Sequence, residues 1–417
     1  MNYAMLKGPR AFAAALITTL CLPGAIRSVR ADAVMDWNAT AAALPITVPP
    51  VHARVMAAMH SAVHDAINSV ELQHEPYRFP VEAPANASKD AAVAAAAHSV
   101  LAALVPSQKA ALDTGLAQSL AKISDERSKA DGILVGKTVA ERMLAWRAKD
   151  SFDAKAEDKP GTGVGMWQRT PPGLAPGALP HLGGVKPFIL ESVDQFAAQG
   201  RPALTSREFT RDLDEVKRLG GRHSTERTAE QTAVAIFWSG NEIPQLNALA
   251  RAAAQSEKLS MHENARLFAL VHAAAADALI VSFRIKYQEN AWRPITAIRA
   301  GYGGVAPDPN WESLLITPPH PDYPSAHCMA AGAVAQVLRE YLGSDEVKFS
   351  YVFPPALGMM RSYTSLTQIE KELEDARAFA GIHFRSTNEH STELGRRVGA
   401  YAVANHLRPT SAPRASR

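Results

Sequence analysis

Apolar and small residues recur at helical spacing along most of the chain, whereas the alternation typical of a half-buried strand is almost absent. The segments that follow the helical period are Ala-rich and span roughly 51–71, 88–104, 107–123, 126–148, 206–219, 229–238, 244–257, 262–286, 327–342, 366–380 and 388–406. A weak strand candidate lies at 347–353. The pattern therefore predicts an all-α fold.

Capping signals mark the start of two of these segments. Thr205 with Glu208 has the spacing of a capping box, in which two side chains satisfy free N–H groups of the first turn, and so has Thr228 with Gln231. The Gly- and Pro-rich stretch from Pro160 to Pro187 is too long for a simple connector. It is either a lid or a loop that wraps the helices.

The segment 53–66 repeats in part at 265–278, at a constant offset of 212 residues. The repeated residues include His60 with His272 and Asp65 with Asp277. The match is either a chance likeness of two Ala-rich helices or the trace of a duplication, which would give two related bundles. We therefore expect an all-α architecture of two packed helical bundles.

Domain boundaries follow from this architecture. We predict a leader over 1–33, an N-terminal helical bundle over 34–245, a C-terminal helical bundle over 246–411 and a flexible tail over 412–417. The two bundles are expected to form one compact unit without a free linker between them.

The location of the charges changes the picture that composition gives. The chain has 417 residues, of which 47% are apolar and 20% charged, as in a water-soluble protein with a large core. Its net charge of +3 comes from the first 33 residues, because the rest carries 40 basic and 40 acidic side chains. Since no basic stripe is left to neutralise phosphates, we exclude nucleic acid as a partner.

The first 33 residues have the pattern of an export signal. Lys7 and Arg10 precede the apolar stretch 11–25, and the small residues Ala31 and Ala33 follow. We expect cleavage after Ala33 or Ala31, the alternative being a retained interfacial helix. The protein is then periplasmic or secreted, with no membrane attachment after cleavage.

The cysteines add little to the stability of the exported protein. Cys21 is preceded by Leu20, which is not the small residue expected of a lipoprotein signal. Removal of the leader leaves Cys328 alone, so no intramolecular disulfide forms. A large core must hold the protein together, and the sequence leaves oligomerisation open.

The first candidate site is His52, His60 and His64 with Asp65. His60 and His64 are four residues apart, so one face of a helix could present both to a divalent metal. The pair lacks the following glutamate of a metalloprotease helix and is flanked by Ala, Val and Met. We therefore favour packed histidines over a metal site.

The second candidate site consists of three blocks in the C-terminal part. They are Lys286 to Pro294, reading KYQENAWRP; Pro324 to His327, reading PSAH; and Arg377 to Phe384, reading RAFAGIHF. A doubly charged oxyanion needs fixed cations, and two guanidinium forks with one ammonium supply them. We therefore expect Lys286, Arg293 and Arg377 to converge on one pocket.

These blocks resemble the vanadium-dependent haloperoxidases and the type 2 phosphatidic-acid phosphatase superfamily that shares their fold. Both families carry K-x6-RP, then PSGH, then SR-x5-H-x3-D, and the resemblance covers about the C-terminal third of the chain. The strings TPPHPDYPSAH and GIHFR are more similar to the bacterial haloperoxidase branch. The resemblance implies vanadate, vanadium(V), as the cofactor, with hydrogen peroxide and halide, or a small phosphate ester, as substrates.

The relative placement of the first two cations depends on Pro294. Seven positions separate Lys286 from Arg293, so one continuous helix would place both side chains on the same face. Pro294 disfavours helical geometry at Arg293, and we expect a helix break there.

The start of the second block predicts a helix N-terminus. Ser325 precedes a helical segment, so its hydroxyl can cap the helix while the N–H groups of Ala326 and His327 point outward to an anion. The resemblance makes Ser325 and the Ala326 amide oxyanion donors and His327 the general acid/base. Ala326 stands where the family has Gly, which costs affinity only if the position needs a positive φ.

His383 is the remaining centre, and the resemblance makes it the vanadium ligand, or the nucleophile of a phosphatase. Four residues on, Thr387 stands where the family has Asp. Either a carboxylate from elsewhere substitutes or the site is weakened, and Glu389 and Asp375 are the candidates. Ala376 replaces the Ser of the motif, with minor expected consequence.

Three functions remain, and we favour the first. It is an exported vanadate-dependent haloperoxidase, the second is a phosphate monoester hydrolase on the same fold, and the third is a catalytically weakened oxyanion-binding protein. His320 matches a position where chloride-competent relatives carry Phe and algal bromoperoxidases His, so the resemblance favours bromide; the alternative is that His320 only packs in its loop. We also expect Cys328 to be buried, because hypohalous acid would oxidise an exposed thiol.

Overall fold

The structure is a computed structural model that describes residues 32–196, 200–353 and 358–410. Within these ranges the chain forms thirteen α-helices, two short 3-10 turns and one two-stranded sheet. The helices are α1 (Ala33–Ala42), α2 (Pro49–Val70), α3 (Lys89–Leu104), α4 (Lys109–Leu120), α5 (Glu126–Arg147), α6 (Arg207–Leu219), α7 (Ala229–Phe237), α8 (Glu242–Ser256), α9 (Met261–Glu289), α10 (Pro294–Ala300), α11 (Ala326–Leu342), α12 (Leu366–Phe379) and α13 (Arg385–Asn405). The predicted all-α fold is confirmed.

The differences from the predicted elements lie in short segments. Helices α1 and α10 were not predicted, and α10 has only seven residues, too few to display a helical period. Strand β1 (Glu346–Val352) pairs antiparallel with β2 (Met360–Ser365), which was not predicted. Pairing with β1, rather than a strong pattern of its own, forms β2.

One of the two predicted capping boxes is present. Thr228 and Gln231 cap α7 reciprocally, as predicted. The prediction for Thr205 is wrong, because α6 begins one residue later and Ser206 accepts the N–H of Phe209. Adjacent hydroxyl residues make such a shift of one position invisible in sequence.

Most of the predicted leader, residues 1–31, and the whole predicted tail, 412–417, lie outside the described residues. Asp32 caps α1, and its carboxylate accepts the Met35 N–H at 2.8 Å and the Asn264 amide at 2.7 Å. Ala33 is the first residue of α1. Cleavage after Ala31 would therefore keep this cap, whereas cleavage after Ala33 would remove it.

Two groups of three helices form the core of the described chain. In the first, α3 packs against α2 and α5; in the second, α11 packs against α9 and α13. The central helices α2 and α9 also pack against each other. The boundary that we predicted at 245 falls inside α8, so that helix runs through it without a linker.

The repeated aspartates have the same role in both central helices. Asp65 on α2 accepts three consecutive backbone N–H groups, those of 77–79, at 2.6 to 2.9 Å. Asp277 on α9 accepts those of 188–190 at 2.6 to 2.9 Å. Two buried carboxylates that each bind the returning chain in the same way favour a duplication over a chance match.

Helix α9 is the central core helix. By length and composition it could cross a membrane, and so could α3 with 106–120 taken as one sharply bent pair. The most apolar part of α9 is 94% buried in the protein. It packs against α2, α11 and α13 inside the protein.

The histidines of α2 are packed in the core. His52, His60 and His64 are all buried, and the His60 ring stacks on His272 with centroids 4.9 Å apart. Within the described residues, no group of three or more His, Cys, Asp or Glu side chains is placed to hold a metal ion. The geometry agrees with the packed interpretation of the first candidate site.

The stretch from Pro160 to Pro187 wraps the C-terminal end of α9. The Trp167 N–H donates to the carbonyl of Asn290, and the Ala178 N–H donates to that of Pro319, each at 2.7 Å. Of the two predicted interpretations, the structure therefore shows the wrapping loop. Its residues Ala178 and Leu179 reach the cavity described next.

Candidate active site

The three sequence blocks meet at the ends of α9, α11 and α12. Helix α9 ends at Glu289, and Asn290 follows in the left-handed conformation with φ of 47°. Arg293 is extended and precedes α10, whose first residue is Pro294. The expected break is present, and it lies just before Arg293, so Lys286 and Arg293 do not share a helix.

Lys286 is fully buried beneath the loop that leads into α11. Its Nζ donates to three backbone carbonyls, those of Pro321 at 2.8 Å, Asp322 at 3.0 Å and Pro324. All three donors of the ammonium group are thus occupied, which differs from the direct oxyanion donor we expected. Here Lys286 fixes the loop and contributes positive charge.

Arg293 connects the first block to both other blocks. Its Nε donates to the carbonyl of His320 at 2.7 Å, and its Nη1 donates to that of Ile382 at 2.6 Å. Nη1 also lies 3.1 Å from Nε2 of His383, and Nη2 lies 2.9 Å from Nδ1 of His320. The guanidinium is fully buried, and burial lowers its pKa to about 10.

Arg377 is held at one end of its guanidinium only. It lies in the last turn of α12, and its Nη1 donates to the carbonyl of Trp238 at 2.9 Å. Its Nε is buried and has no hydrogen-bond partner among the described residues. A buried guanidinium N–H without an acceptor is costly, which indicates space for a bound anion.

Ser325 is the N-cap residue of α11, but its side chain makes no capping bond. The predicted capping role of the hydroxyl is therefore wrong. The Oγ atom is buried without a hydrogen-bond partner in the described part of the chain, while the Ser325 N–H donates to Oγ of Ser391 at 2.7 Å. The hydroxyl and the first N–H groups of α11, at Ala326 and His327, are left for a ligand.

The replacement of Gly by Ala at position 326 does not strain the backbone. Ala326 is the first residue of α11 and is not among the residues with positive φ. Because helical geometry suits any L-residue, the methyl group requires no unusual conformation here. This departure from the family motif is therefore tolerated.

His327 faces a carboxylate that the sequence did not identify. Its Nε2 donates to the carbonyl of Gly240 at 3.0 Å and lies 3.2 Å from Oε2 of Glu242, at the start of α8. Burial raises the pKa of Glu242 to about 7, and burial with the nearby Arg377 lowers the pKa of His327 below its ordinary value. The histidine is thus neutral, with Nδ1 free to accept a proton.

A carboxylate from a different block lies beside His383. Its Nδ1 lies 2.8 Å from Oδ1 of Asp322, and Oδ2 of that residue accepts the Thr387 hydroxyl at 2.6 Å. Our two candidates were wrong, because Glu389 is exposed and Asp375 pairs with Arg385. Burial raises the pKa of Asp322 to about 6, while Arg293 opposes that rise.

A cavity of about 620 Å³ opens above these groups. Its polar floor contains His320, His327, Arg377 and His383. Its walls are mainly apolar and come from 46–50, from the wrapping loop, and from residues that include Leu279, Phe283, Pro319 and Phe353. The cavity therefore draws on both bundles, whereas our sequence-based site residues came only from the second.

Cys328 does not line this cavity. It is fully buried, as predicted, and its Sγ lies 3.7 Å from Oδ1 of Asn388. Burial raises the pKa of the thiol, which disfavours the reactive thiolate.

The donor set fits a compact oxyanion with two or more negative charges. It offers the Ser325 hydroxyl, the α11 amides and the free edge of Arg377, with the buried charges of Lys286 and Arg293 alongside. His383 presents Nε2 to the same space, because Nδ1 is taken by Asp322. Phosphate and vanadate both have the size and charge for this site.

Comparison with solved structures reveals the same fold. The chain aligns with "the first bacterial vanadium dependant iodoperoxidase" at a TM-score of 0.78 and 23% identity, covering 92% of this chain and 97% of the other. It aligns with a holo-type bacterial vanadium-dependent chloroperoxidase at a TM-score of 0.72 and 17% identity, covering 88% and 96%.

Sequence comparison points in the same direction. The chain is 30% identical over 195 residues to the vanadium chloroperoxidase of Curvularia inaequalis, a match that covers 37% of this chain and 32% of that protein. The match thus spans about a third of the length of this curated relative. Residues 266–411 match the family model described as the VCPO second helical-bundle domain, and these matches support the resemblance to the vanadium haloperoxidase superfamily.

Proposed function

We propose that this protein is a vanadate-dependent haloperoxidase that oxidises halide with hydrogen peroxide. The observation that carries the proposal is the buried donor set around Ser325, Arg377 and His383, in which two donors lack protein partners. Such groups are costly to bury unless an anion pairs with them.

The residues present fit vanadate. Ser325 Oγ, the Ala326 and His327 amides and the Arg377 guanidinium would hold its oxygens, and His383 Nε2 would be the ligand of the metal. When bound, vanadate activates hydrogen peroxide for attack by halide without changing its own valence. Lys286 and Arg293 supply positive charge from below the site.

His327 is the general acid/base of the proposal. Its Nδ1 is free because Nε2 donates to Gly240, and the ring is slightly exposed at the cavity floor. A neutral imidazole in this position could accept a proton at Nδ1 from hydrogen peroxide that enters the cavity and return it later. Glu242 lies 3.2 Å from Nε2 and steadies the charged form of the ring.

For the halide, we propose bromide in preference to chloride. His320 lies in the cavity and contacts Arg293, so it can influence the charge at the reacting centre. In His320→Phe we expect chloride oxidation to rise relative to bromide oxidation. Chloride oxidation by the wild-type protein that is unchanged in His320→Phe would contradict this role.

A paired assay tests the activity itself. Purified protein is incubated with vanadate, peroxide and bromide in one arm and with a phosphate monoester in the other, and His383→Ala serves as the control. We expect vanadate- and peroxide-dependent bromination in the first arm. Hydrolysis of the ester without bromination would favour the phosphatase, and tight vanadate binding without either reaction would favour a binding protein.

We also propose that the protein is exported, since the leader pattern precedes a helix that is capped at Asp32. N-terminal sequencing of the protein from the periplasm or medium should give Asp32 as the first residue. A mature protein that retains Met1 in the cytoplasm would contradict the proposal.

A further inference from the structure

We propose that Asp322 is the positioning carboxylate of His383, and that it takes over a charge that the family motif places at position 387. The inference rests on the oxyanion site of the proposed function, but not on which reaction occurs there. It explains how a chain with Thr387 in place of Asp can still present a correctly oriented His383.

The hydrogen bond between the two side chains fixes the tautomer of His383. Nδ1 of the ring lies 2.8 Å from Oδ1 of Asp322. A carboxylate only accepts hydrogen bonds, so Nδ1 carries the hydrogen and Nε2 keeps its lone pair. Nε2 lies 3.1 Å from Nη1 of Arg293, a donor, which requires the same tautomer. A nitrogen ligand or nucleophile uses this lone pair, so a bound group would replace the contact between Nε2 and Arg293.

Asp322 is itself held from three directions. Its Oδ2 accepts the Thr387 hydroxyl at 2.6 Å, and its own N–H donates to the carbonyl of Ala291 at 2.9 Å. Its carbonyl accepts from Nζ of Lys286 at 3.0 Å. The side chain is buried, and its rotation away from His383 would remove the hydrogen-bond partner of His383 Nδ1 and of the Thr387 hydroxyl.

Thr387 still takes part in the hydrogen-bond network around His383, but as a donor rather than as a carboxylate. In the family motif this position supplies a carboxylate; here it donates a hydrogen bond to one. Carboxylates at both 322 and 387 would place two negative charges in contact within a buried space, which is strongly unfavourable. The two positions therefore form an exchangeable pair in which one member carries the charge.

The other carboxylates near His383 have different partners. Asp375 pairs with Arg385, and Asp212 accepts the Ser386 N–H at 2.9 Å. Glu242 lies beside His327, and Glu389 is exposed. Among the described residues, Asp322 is thus the carboxylate that hydrogen-bonds to His383.

A reciprocal exchange tests the inference. The variants are Asp322→Ala, Asp322→Asn, Thr387→Asp and the double variant Asp322→Ala/Thr387→Asp, with Glu389→Gln as the exposed control. Vanadate affinity is measured by equilibrium dialysis. The His383 tautomer is read in the vanadate-free protein by ¹⁵N NMR of labelled histidines, with the signal assigned through His383→Ala.

We expect Asp322→Ala to weaken vanadate binding by about 10- to 100-fold and to mix the tautomers of His383. Thr387→Asp alone should also weaken binding, because it adds a second buried carboxylate. The double variant should regain most of the affinity and the Nδ1–H tautomer, and Glu389→Gln should match the wild type. Asp322→Asn keeps the side-chain shape, so it should remain folded and show a smaller loss of affinity.

Two results would overturn the inference. One is wild-type vanadate affinity in Asp322→Asn and Asp322→Ala; the other is a folded double variant that binds no better than Asp322→Ala. If Asp322→Ala does not fold, the affinity and tautomer of Asp322→Asn decide the question. Undiminished vanadate binding by His383→Ala would instead contradict the proposed function, so the two failures can be told apart.

Discussion

Helices α3 and α11 hold the same place in the two groups of three helices, and each is preceded by a serine at its N-cap. The two serine hydroxyls are used differently. Ser88 caps α3, and its hydroxyl accepts the Ala91 N–H at 3.2 Å. Ser325 occupies the same place before α11, yet its hydroxyl makes no capping bond and has no hydrogen-bond partner within the described ranges. One serine stabilises its own helix, and the other remains available to a ligand. A helix N-terminus becomes a candidate binding site here only where the protein leaves the cap unmade.

The central helices α2 and α9 also differ, in length and in the charge carried at matching positions. Helix α2 has 22 residues and α9 has 29. At the offset of the repeat, Lys286 corresponds to His74 and Arg293 to Val81. Burial lowers the pKa of His74 to about 4, so that position is neutral where α9 carries a cation. At these two positions, only the second half of the described chain therefore carries cations.

The largest effect is expected from removing the proposed ligand in the second half. His383→Ala deletes the nitrogen that Asp322 orients, and we expect halide oxidation to be abolished. His64→Ala on α2 should leave the reaction intact in the fraction that folds, because His64 is a packed core residue. Halide oxidation per folded molecule is measured for both variants. Similar residual activity in the two would contradict a reaction centre confined to the second half.

His327→Ala should separate proton transfer from cofactor binding. We expect kcat to fall by about 10²- to 10⁴-fold, because the general acid/base is lost. Vanadate affinity should survive in part, since Ser325, Arg377 and His383 remain. Steady-state kinetics with equilibrium dialysis measures the two quantities, and mild losses of similar size in His327→Ala and His383→Ala would contradict separate roles.

Acid should destabilise the contact between α2 and α9 through its histidines. Burial lowers the pKa of His272 to about 3, so the folded protein binds fewer protons at this residue than the unfolded chain. The stability it contributes is complete above the unfolded pKa of about 6.5 and is lost as pH falls towards the folded value. Through this residue, acidification from about pH 7 to about pH 5 should lower the free energy of unfolding by about 2 kcal/mol.

Urea unfolding of the wild type and His272→Gln at both pH values isolates this contribution. The variant should lose less stability on acidification, although its stability at neutral pH is expected to be lower. Equal losses in both proteins would mean that other groups dominate the pH dependence.

The smallest effect compares the two serines directly. Ser88→Ala should lower the free energy of unfolding by about 1 kcal/mol and leave vanadate affinity unchanged, because a cap is lost. Ser325→Ala should change stability little and weaken vanadate binding about tenfold, because a donor to the anion is lost. If both variants changed stability and vanadate affinity alike, or if Ser88→Ala alone weakened vanadate binding, the two hydroxyls would not have the distinct roles described.

The sequence predicted what depends on local pattern and on the chemistry of an oxyanion. Helical spacing gave the long helices, and the need for fixed cations identified Lys286, Arg293 and Arg377, which lie together in the structure. It did not predict that the three donors of Lys286 would bind carbonyls of the loop 321–324. Such bonds depend on the path of a loop, which has no periodic pattern.

The missed carboxylates show the same limit. Asp322 lies 61 positions from His383, and Glu242 is separated from His327 by α9 and α10. Asp322 stood in the TPPHPDYPSAH string, but its partner follows only from the way the loop folds back. Glu242 lies before the predicted bundle boundary, where a site confined to the second bundle could not include it.

The floor and the wall of the cavity come from different segments of the chain, so each can be altered by substitutions without the other. The polar floor comes from α11, α12 and the loops beside them, whereas 46–50 and the wrapping loop supply much of the wall. Substitutions at Ile46, Val48 or Leu179 can reshape the entrance without touching a charged group of the floor. Such substitutions would change which organic molecules reach the floor while the groups that hold the oxyanion stay the same.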